Sequence, residues 1–287
     1  MVTGKVNEAS VKLIGSTYEP SAKGRYHLSI GLSDRSVSFA VLDVAQKQFV
    51  ALFERTAIDP NALGKTLSEG SEKDLSLLEP ISVSAFIKGE ASTLVPSGSF
   101  IEAHAHQHLA ITQSADLNVG VLHETIPSLD VEMLYAQDPE KSDALMKSFP
   151  QAKCFDARTV FLNGIARRSA ANDIQSLHLH VWENEMDIAL FEKGNLLLFN
   201  SHYFSSAEDV LYHCIFALDR AEIDRNKIEV QISGAVEDGG DLSILLSKYF
   251  TTPILMEGPD LLKRTTELVD RPYHLDHLLY ELYQCAL

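Results

Sequence analysis

His104, His106 and His108 form the densest run of potential metal ligands in the chain. On a helix His104 and His108 would share a face, and an imidazole pair there needs a further ligand to hold a transition metal. No third ligand is identifiable at a matching spacing, so a polar, exposed face is the expectation. His178 and His180 are two apart in a strand-like stretch, point to one side and are expected to be buried with hydrogen bonds. The segment from Asp59 to Thr66 ends in Gly64, Lys65 and Thr66 like a phosphate-binding loop. It carries Asp59 where the first glycine belongs, and Pro60 removes a backbone donor, so it reads as a solvated helix start. Cys154, Cys214 and Cys285 are far apart and form no C-x-x-C pair, which argues against a disulfide framework and a cysteine-based zinc site. The G-x-S-x-G, H-E-x-x-H and G-x-G-x-x-G signatures are absent, and with them the usual hydrolase, metalloprotease and dehydrogenase signals.

The elements that must position these residues belong to an ordinary globular chain. It has 287 residues, 45% hydrophobic and 22% charged, a length that favours two domains over one. Its formal net charge of −16 repels phosphate backbones and anionic lipid, so neither nucleic acid nor a membrane surface is an expected partner. No stretch approaches the roughly 20 apolar residues of a spanning helix, and Met1 to Ile14 lacks the apolar run of a signal peptide. The expectation is a cytoplasmic protein without membrane insertion.

Period-two alternation predicts three strands between Tyr26 and Thr56, with Leu28, Ile30, Val37, Phe39 and Val41 inward and turns at Ser33–Arg35 and Gln46–Lys47. A helix is predicted from Leu63 to Leu78, a strand from Ile81 to Ile87, a helix capped by Ser97 or Ser99 running toward Ala110, and a strand from Leu129 to Tyr135. Helices starting at Pro139 and capped by Asp156 follow. A second meander spans Leu177–Trp182, Asp187–Phe191 and Leu196–Tyr203, matched to the first at an offset of 151, from 177 minus 26. A helix capped by Ser205 or Ser206, a strand from Ile228 to Ser233, a helix from Leu242 to Tyr249 and a strand from Pro253 to Met256 complete the repeat. Leu275, Leu278, Leu279, Leu282 and Ala286 recur at helical spacing, predicting a packed C-terminal helix.

This order, strand-strand-strand-helix-strand-helix-strand twice over, resembles the duplicated ribonuclease H-like domains of the actin-like ATPase superfold, which includes actin, Hsp70 proteins and sugar kinases. It is most like an uncharacterised bacterial family within it, related to the pilus-assembly and cell-division members. The run from Leu177 through Asn200 and the segment Val230 to Gly234 carry the resemblance best. It implies an α/β fold of two similar domains, 1–170 and 171–287, each a mixed sheet with a three-strand meander flanked by helices, the C-terminal helix packing back on the first. In that superfold each first hairpin presents a phosphate-binding turn, and an Asp before an I/V-G pair holds Mg²⁺.

Chemistry dictates those residue types, because glycine admits phosphate to backbone N–H groups and a hard carboxylate suits Mg²⁺. Here the first strand keeps Gly31 but places Ser29 at the Asp position, while the second places His180 there and Trp182 at the glycine position. Ser233 and Gly234 are what remains of the adenosine-contacting motif. The resemblance therefore puts a ligand site in the inter-domain cleft at Ser29, Gly31, Ser33, Asp34, His180, Glu183, Asn184, Ser233 and Gly234. It implies no catalytic residue, cofactor or metal, and a scaffold or interaction module with an unidentified protein partner. The alternative is an ATP-binding protein or slow ATPase whose Mg²⁺ site is rebuilt from Asp34, Glu183 and Glu185.

Overall fold

The computed structural model describes residues 10–56, 67, 75, 77–112, 120–170, 174–251, 253–258 and 262–286. Most of the helix expected over Leu63–Leu78, and the loop from Asp59 to Thr66, lie outside the described residues.

The first meander forms where alternation predicts it, as β2 (Tyr26–Leu32), β3 (Ser36–Asp43) and β4 (Gln48–Thr56). Every residue of β2 is buried, so helices or loops cover both faces of this central strand. β5 (Ser82–Ile87) and β9 (Lys153–Asp156) extend the sheet in parallel beyond β2, while β1 (Ser10–Ile14) and the two-residue β15 (Lys263–Arg264) flank β4. Inserted between β5 and β9 is a separate antiparallel sheet of β6 (Ala91–Pro96), β8 (Val131–Ala136) and β7 (Val121–Ile126) with α1 (Ala105–Thr112). Two expectations shift here. Neither Ser97 nor Ser99 caps a helix, because Phe100 is extended and packs on His123, splitting the segment into 3-10 turns before α1 starts at Ala105. The next strand starts at Val131, because Pro127–Leu129 is a 3-10 turn closed by Asp130 at φ 53°.

α2 (Pro139–Ser148) is capped by Asp138 and α3 (Ala157–Ser169) by Asp156, each carboxylate accepting from a first-turn amide. The second sheet runs β12 (Asn195–Tyr203), β11 (Glu185–Glu192), β10 (Gln175–Val181), β13 (Glu229–Gly234), β14 (Pro253–Leu255). α4 (Ala207–Arg220) opens with a capping box between Ser206 and Asp209, and α5 (Asp241–Tyr249) packs beside it. The chain then returns to the first sheet through β15, α6 (Thr266–Val269) and a 3-10 turn at Tyr273–Asp276. It ends in α7 (His277–Cys285), which lies on β2, β3 and β5 and against α3. Leu278, Leu279, Tyr280 and Leu282 of α7 are buried, each worth roughly 1.5–3 kcal/mol before ordering costs. No described helix is long and apolar enough to cross a membrane.

Register corrects the offset between the halves. Leu32 pairs with Val37 before the first turn and Val181 with Met186 before the second, so the hairpins correspond at 149 positions, 175 minus 26. In each meander the ladder to the third strand is also bulged at the same place, with Val50 of β4 extra opposite Val41/Leu42 and Leu197 of β12 extra opposite Leu190/Phe191. Because side chains alternate with period two, a slip of two residues keeps every inward position inward and leaves no trace in the hydrophobic pattern. Gly31 therefore corresponds to His180, Ser29 to His178, and Ser33 to Trp182.

Candidate functional site

The last carbonyl of each opening strand accepts the first amide beyond the neighbouring parallel strand, Lys88 N to Leu32 O at 2.9 Å and Ala235 N to Val181 O at 2.7 Å. Held this way, the turns Ser33–Arg35 and Trp182–Asn184 face each other, with Arg35 Nη1 3.5 Å from Glu183 Oε1. Between them lies a cleft of about 590 Å³. Its walls include Gly31, Ser33, Phe86, Trp182 and Gly234, with Arg271, Leu275, Leu278 and Leu279 contributed by the C-terminal segment. Arg271 is bound to Asp276 and Glu54.

Beside the cleft the two hairpins are tied by charge that is buried at Lys88, Glu185 and Arg158 and exposed at Asp34. Lys88 Nζ lies 3.1 Å from Asp34 Oδ2 on the first turn and 2.7 Å from Glu185 Oε2 on the second hairpin. Lys141 approaches the other Asp34 oxygen at 3.0 Å. Arg158 donates to Glu185 at 2.6 Å, to Asp187 at 3.0 Å and to the Gly89 carbonyl at 2.9 Å. Asp187 also accepts from Ser201 and from Trp182 Nε1. Burial pushes the Asp34 carboxyl up, but Lys88 and Lys141 outweigh it and hold the group below its ordinary value. Asp187, wholly buried, is likewise kept below its ordinary value, chiefly by Arg158. Burial would strip the proton from Lys88, yet Glu185 and Asp34 hold its pKa above the usual value, so it is a cation at neutral pH.

Of the residues singled out by sequence, Gly31, Ser33, His180, Glu183 and Gly234 line the cleft. Ser29 and Ser233 are fully buried. Ser233 donates to the Leu179 carbonyl at 3.1 Å and so accepts from His180 Nδ1–H at 2.9 Å. Asp34 belongs to the charged network, and the Asn184 carbonyl accepts from Phe204 N. Burial lowers His180 to about 4 and His178 to about 3, so both rings are neutral at pH 7. The glycines have packing reasons of their own. A Cβ on Gly31 would stand 2.6 Å from Phe86 Cζ, and one on Gly234, at φ 88°, 2.1 Å from the Val181 carbonyl oxygen. His104 and His106 are exposed, and among the described residues no three His, Cys, Asp or Glu side chains converge as metal ligands.

Sequence reasoning passed over Lys88, Lys141, Arg158 and Asp187. One signal was available: Arg158 sits in the first turn of a helix already capped by Asp156, where the helix dipole disfavours a cation, so its presence announces buried anions nearby.

Residues 15–252 match the model of a family described as a protein of unknown function, DUF3822. The chain belongs to the DUF3822 family. Its fold is that of the actin-like ATPases. A structure from Bacteroides thetaiotaomicron VPI-5482, a protein with actin-like ATPase fold and unknown function, matches at TM-score 0.72 and 22% identity over 83% of this chain and 93% of its own. A chain of the PilM–PilN type IV pilus biogenesis complex matches at TM-score 0.60 and 11% identity over 93% of this chain and 99% of its own. No curated protein matches the sequence.

Proposed function

We propose that this DUF3822 protein is a non-catalytic module that acts by binding another protein, its two halves latched by its own side chains beside the cleft where the actin-like resemblance would put Mg²⁺ and nucleotide. The observation that carries this reading is Lys88, whose one ammonium meets carboxylates of both hairpins, Asp34 and Glu185. A tethered cation between two acidic turns supplies the electrostatic bridge that a bound divalent ion would otherwise supply. The three carboxylates from which a metal site would have to be rebuilt are engaged: Asp34 and Glu185 by Lys88, Lys141 and Arg158, and Glu183 by Arg35. A triphosphate entering the cleft meets Glu183 at the mouth and an Arg271 already held by two carboxylates. Action through a protein partner takes support from the PilM neighbour, which is found in complex with PilN, and from a net charge of −16 that disfavours nucleic acid.

The melting temperature with and without Mg·ATP tests the reading. A ligand at a hundred times its dissociation constant adds about 2.7 kcal/mol of stability. No shift is expected; a magnesium-dependent rise would replace this reading with that of an ATP-binding protein.

A further inference from the structure

α4 buries Val210, Leu211, Cys214, Ala217 and Leu218 against the second sheet. Its opposite side carries Glu208, Tyr212, Phe216 and Arg220 at successive four-residue steps, which makes them one continuous surface ridge. Two aromatic rings stand at its centre with 62% and 44% of their residues' surface in solvent, Tyr212 and Phe216 stacked at 6.0 Å and 20°. Arg220 lies 5.1 Å over the ring of Phe216. Exposed aromatic pairs of this kind are costly to leave in water and mark contact surfaces.

The order of the ridge says what fits it. Read from the N-terminus it runs acid, aromatic, aromatic, base, so reversing its direction exchanges Glu208 with Arg220 and Tyr212 with Phe216. A second ridge laid antiparallel across it sets each Glu208 against an Arg220 and each Tyr212 against a Phe216, the self-complementarity that a two-fold symmetric contact requires. The charges of the ridge itself, Glu208 and Arg220, cancel, which matters between two chains that each carry a charge of −16. Ridges at four-residue spacing interdigitate with helices crossing at about −50°, so the contact is centred on the two aromatics.

From this we infer that the chain forms a two-fold homodimer through α4, with a second copy as the partner of the aromatic ridge. One crossed helix pair falls at the small end of specific interfaces, which bury at least about 1,000 Å² when stable, so the dimer is weak and concentration-dependent.

Sedimentation of the full chain at physiological ionic strength, across a wide range of concentration, tests it. The mass should climb from that of one chain, 31.7 kDa, toward twice that value. Phe216→Glu should hold it at one chain throughout with an unchanged melting temperature, since the side chain is exposed. Glu208→Arg and Arg220→Glu should each weaken the dimer about ten-fold, and the double reversal should recover most of that loss. A wild-type chain that stays single at every concentration overturns the inference, as does a dimer indifferent to Phe216→Glu or a double reversal no better than either single change.

Discussion

The hairpins β2–β3 and β10–β11 have equal strand lengths, equal turns and unbroken registers, yet corresponding positions near their tips are filled by different chemistry. In the first, Gly31 faces Ser38 across the ladder and Ser33 pairs with Ser36 in the turn, Oγ to Oγ at 2.6 Å. In the second the same positions hold His180 opposite Asp187, with Trp182 and Glu185 in the turn. Small residues on one side leave the cleft its volume. Bulky polar residues on the other supply the buried anions Glu185 and Asp187, which Lys88 and Arg158, from the first sheet's β5 end and from α3, neutralise. A duplicated backbone thus became one open wall and one charged wall, and the ion network between them is a tertiary invention of neither repeat alone.

Acid should separate the halves most strongly. The rings of His27, His178 and His180 are held at about 4, 3 and 4, each chiefly by burial, against an ordinary 6.5. Above pH 6.5 folded and unfolded chains are both neutral at these rings; below it the unfolded chain takes up protons that the folded one refuses. Stability is therefore intact above 6.5 and lost as pH falls toward 4, by about 3 kcal/mol for each ring. The slope of stability against pH over that window should lose about two protons in a His178→Gln/His180→Gln chain and about one in His27→Gln. Equal slopes would show that the two halves do not differ in this respect.

Next in size is the charged wall itself. Arg158→Met leaves Asp187 and Glu185 buried without their guanidinium and should cost about 3–5 kcal/mol by denaturant unfolding. Lys88→Met should cost less, about 1–3 kcal/mol, because Arg158 still holds Glu185 and Lys141 still holds Asp34. The reverse order would mean that the bridge between hairpins outweighs the buried cluster.

The glycines sharpen the contrast further. Gly234→Ala drives a methyl group into the Val181 carbonyl at a positive φ and should cost about 3 kcal/mol, while Gly31→Ala meets the ends of two side chains, Phe86 and Ser38, and should cost about 1 kcal/mol. Smallest is the pair across the turns. Arg35 and Glu183 are 46% and 69% exposed, so a double-mutant cycle should return about 0.2–1 kcal/mol, falling with salt.

Much of the scaffold was legible. Alternation at Leu28, Ile30, Val37, Phe39 and Val41 located the first meander, and Ser206 with acidic residues in the first turn located α4. The leucines after His274 located a packed helix, whose buried face is closed by β2, β3 and β5. β1, β6, β7, β9 and β15 escaped notice. They are short, and β7 is largely exposed, so little hydrophobic pattern marks it. Of the candidate site, five of the nine residues line the cleft, Gly31, Ser33, His180, Glu183 and Gly234, because hairpin tips are where a strand pattern breaks. Lys88 follows an apolar strand, a setting that does not distinguish a surface lysine from a buried one, while Lys141 sits in the first turn of α2 behind Asp138, where it carries the same signal as Arg158.

Local sequence by itself determined most of the strands and helices of the two repeats, the caps Asp156 and Ser206, and that the pattern occurs twice, because those depend on side-chain periodicity and on residues a few positions apart. Tertiary structure alone decided the repeat's true offset of 149, since period two cannot tell a slip of two residues from none. It alone decided, too, that Asp34, Lys88, Arg158 and Glu185, spread across 152 positions from 34 to 185, become a single ion network. Coulomb attraction in a buried site depends on the few ångströms between charges, and only packing the two sheets sets those distances.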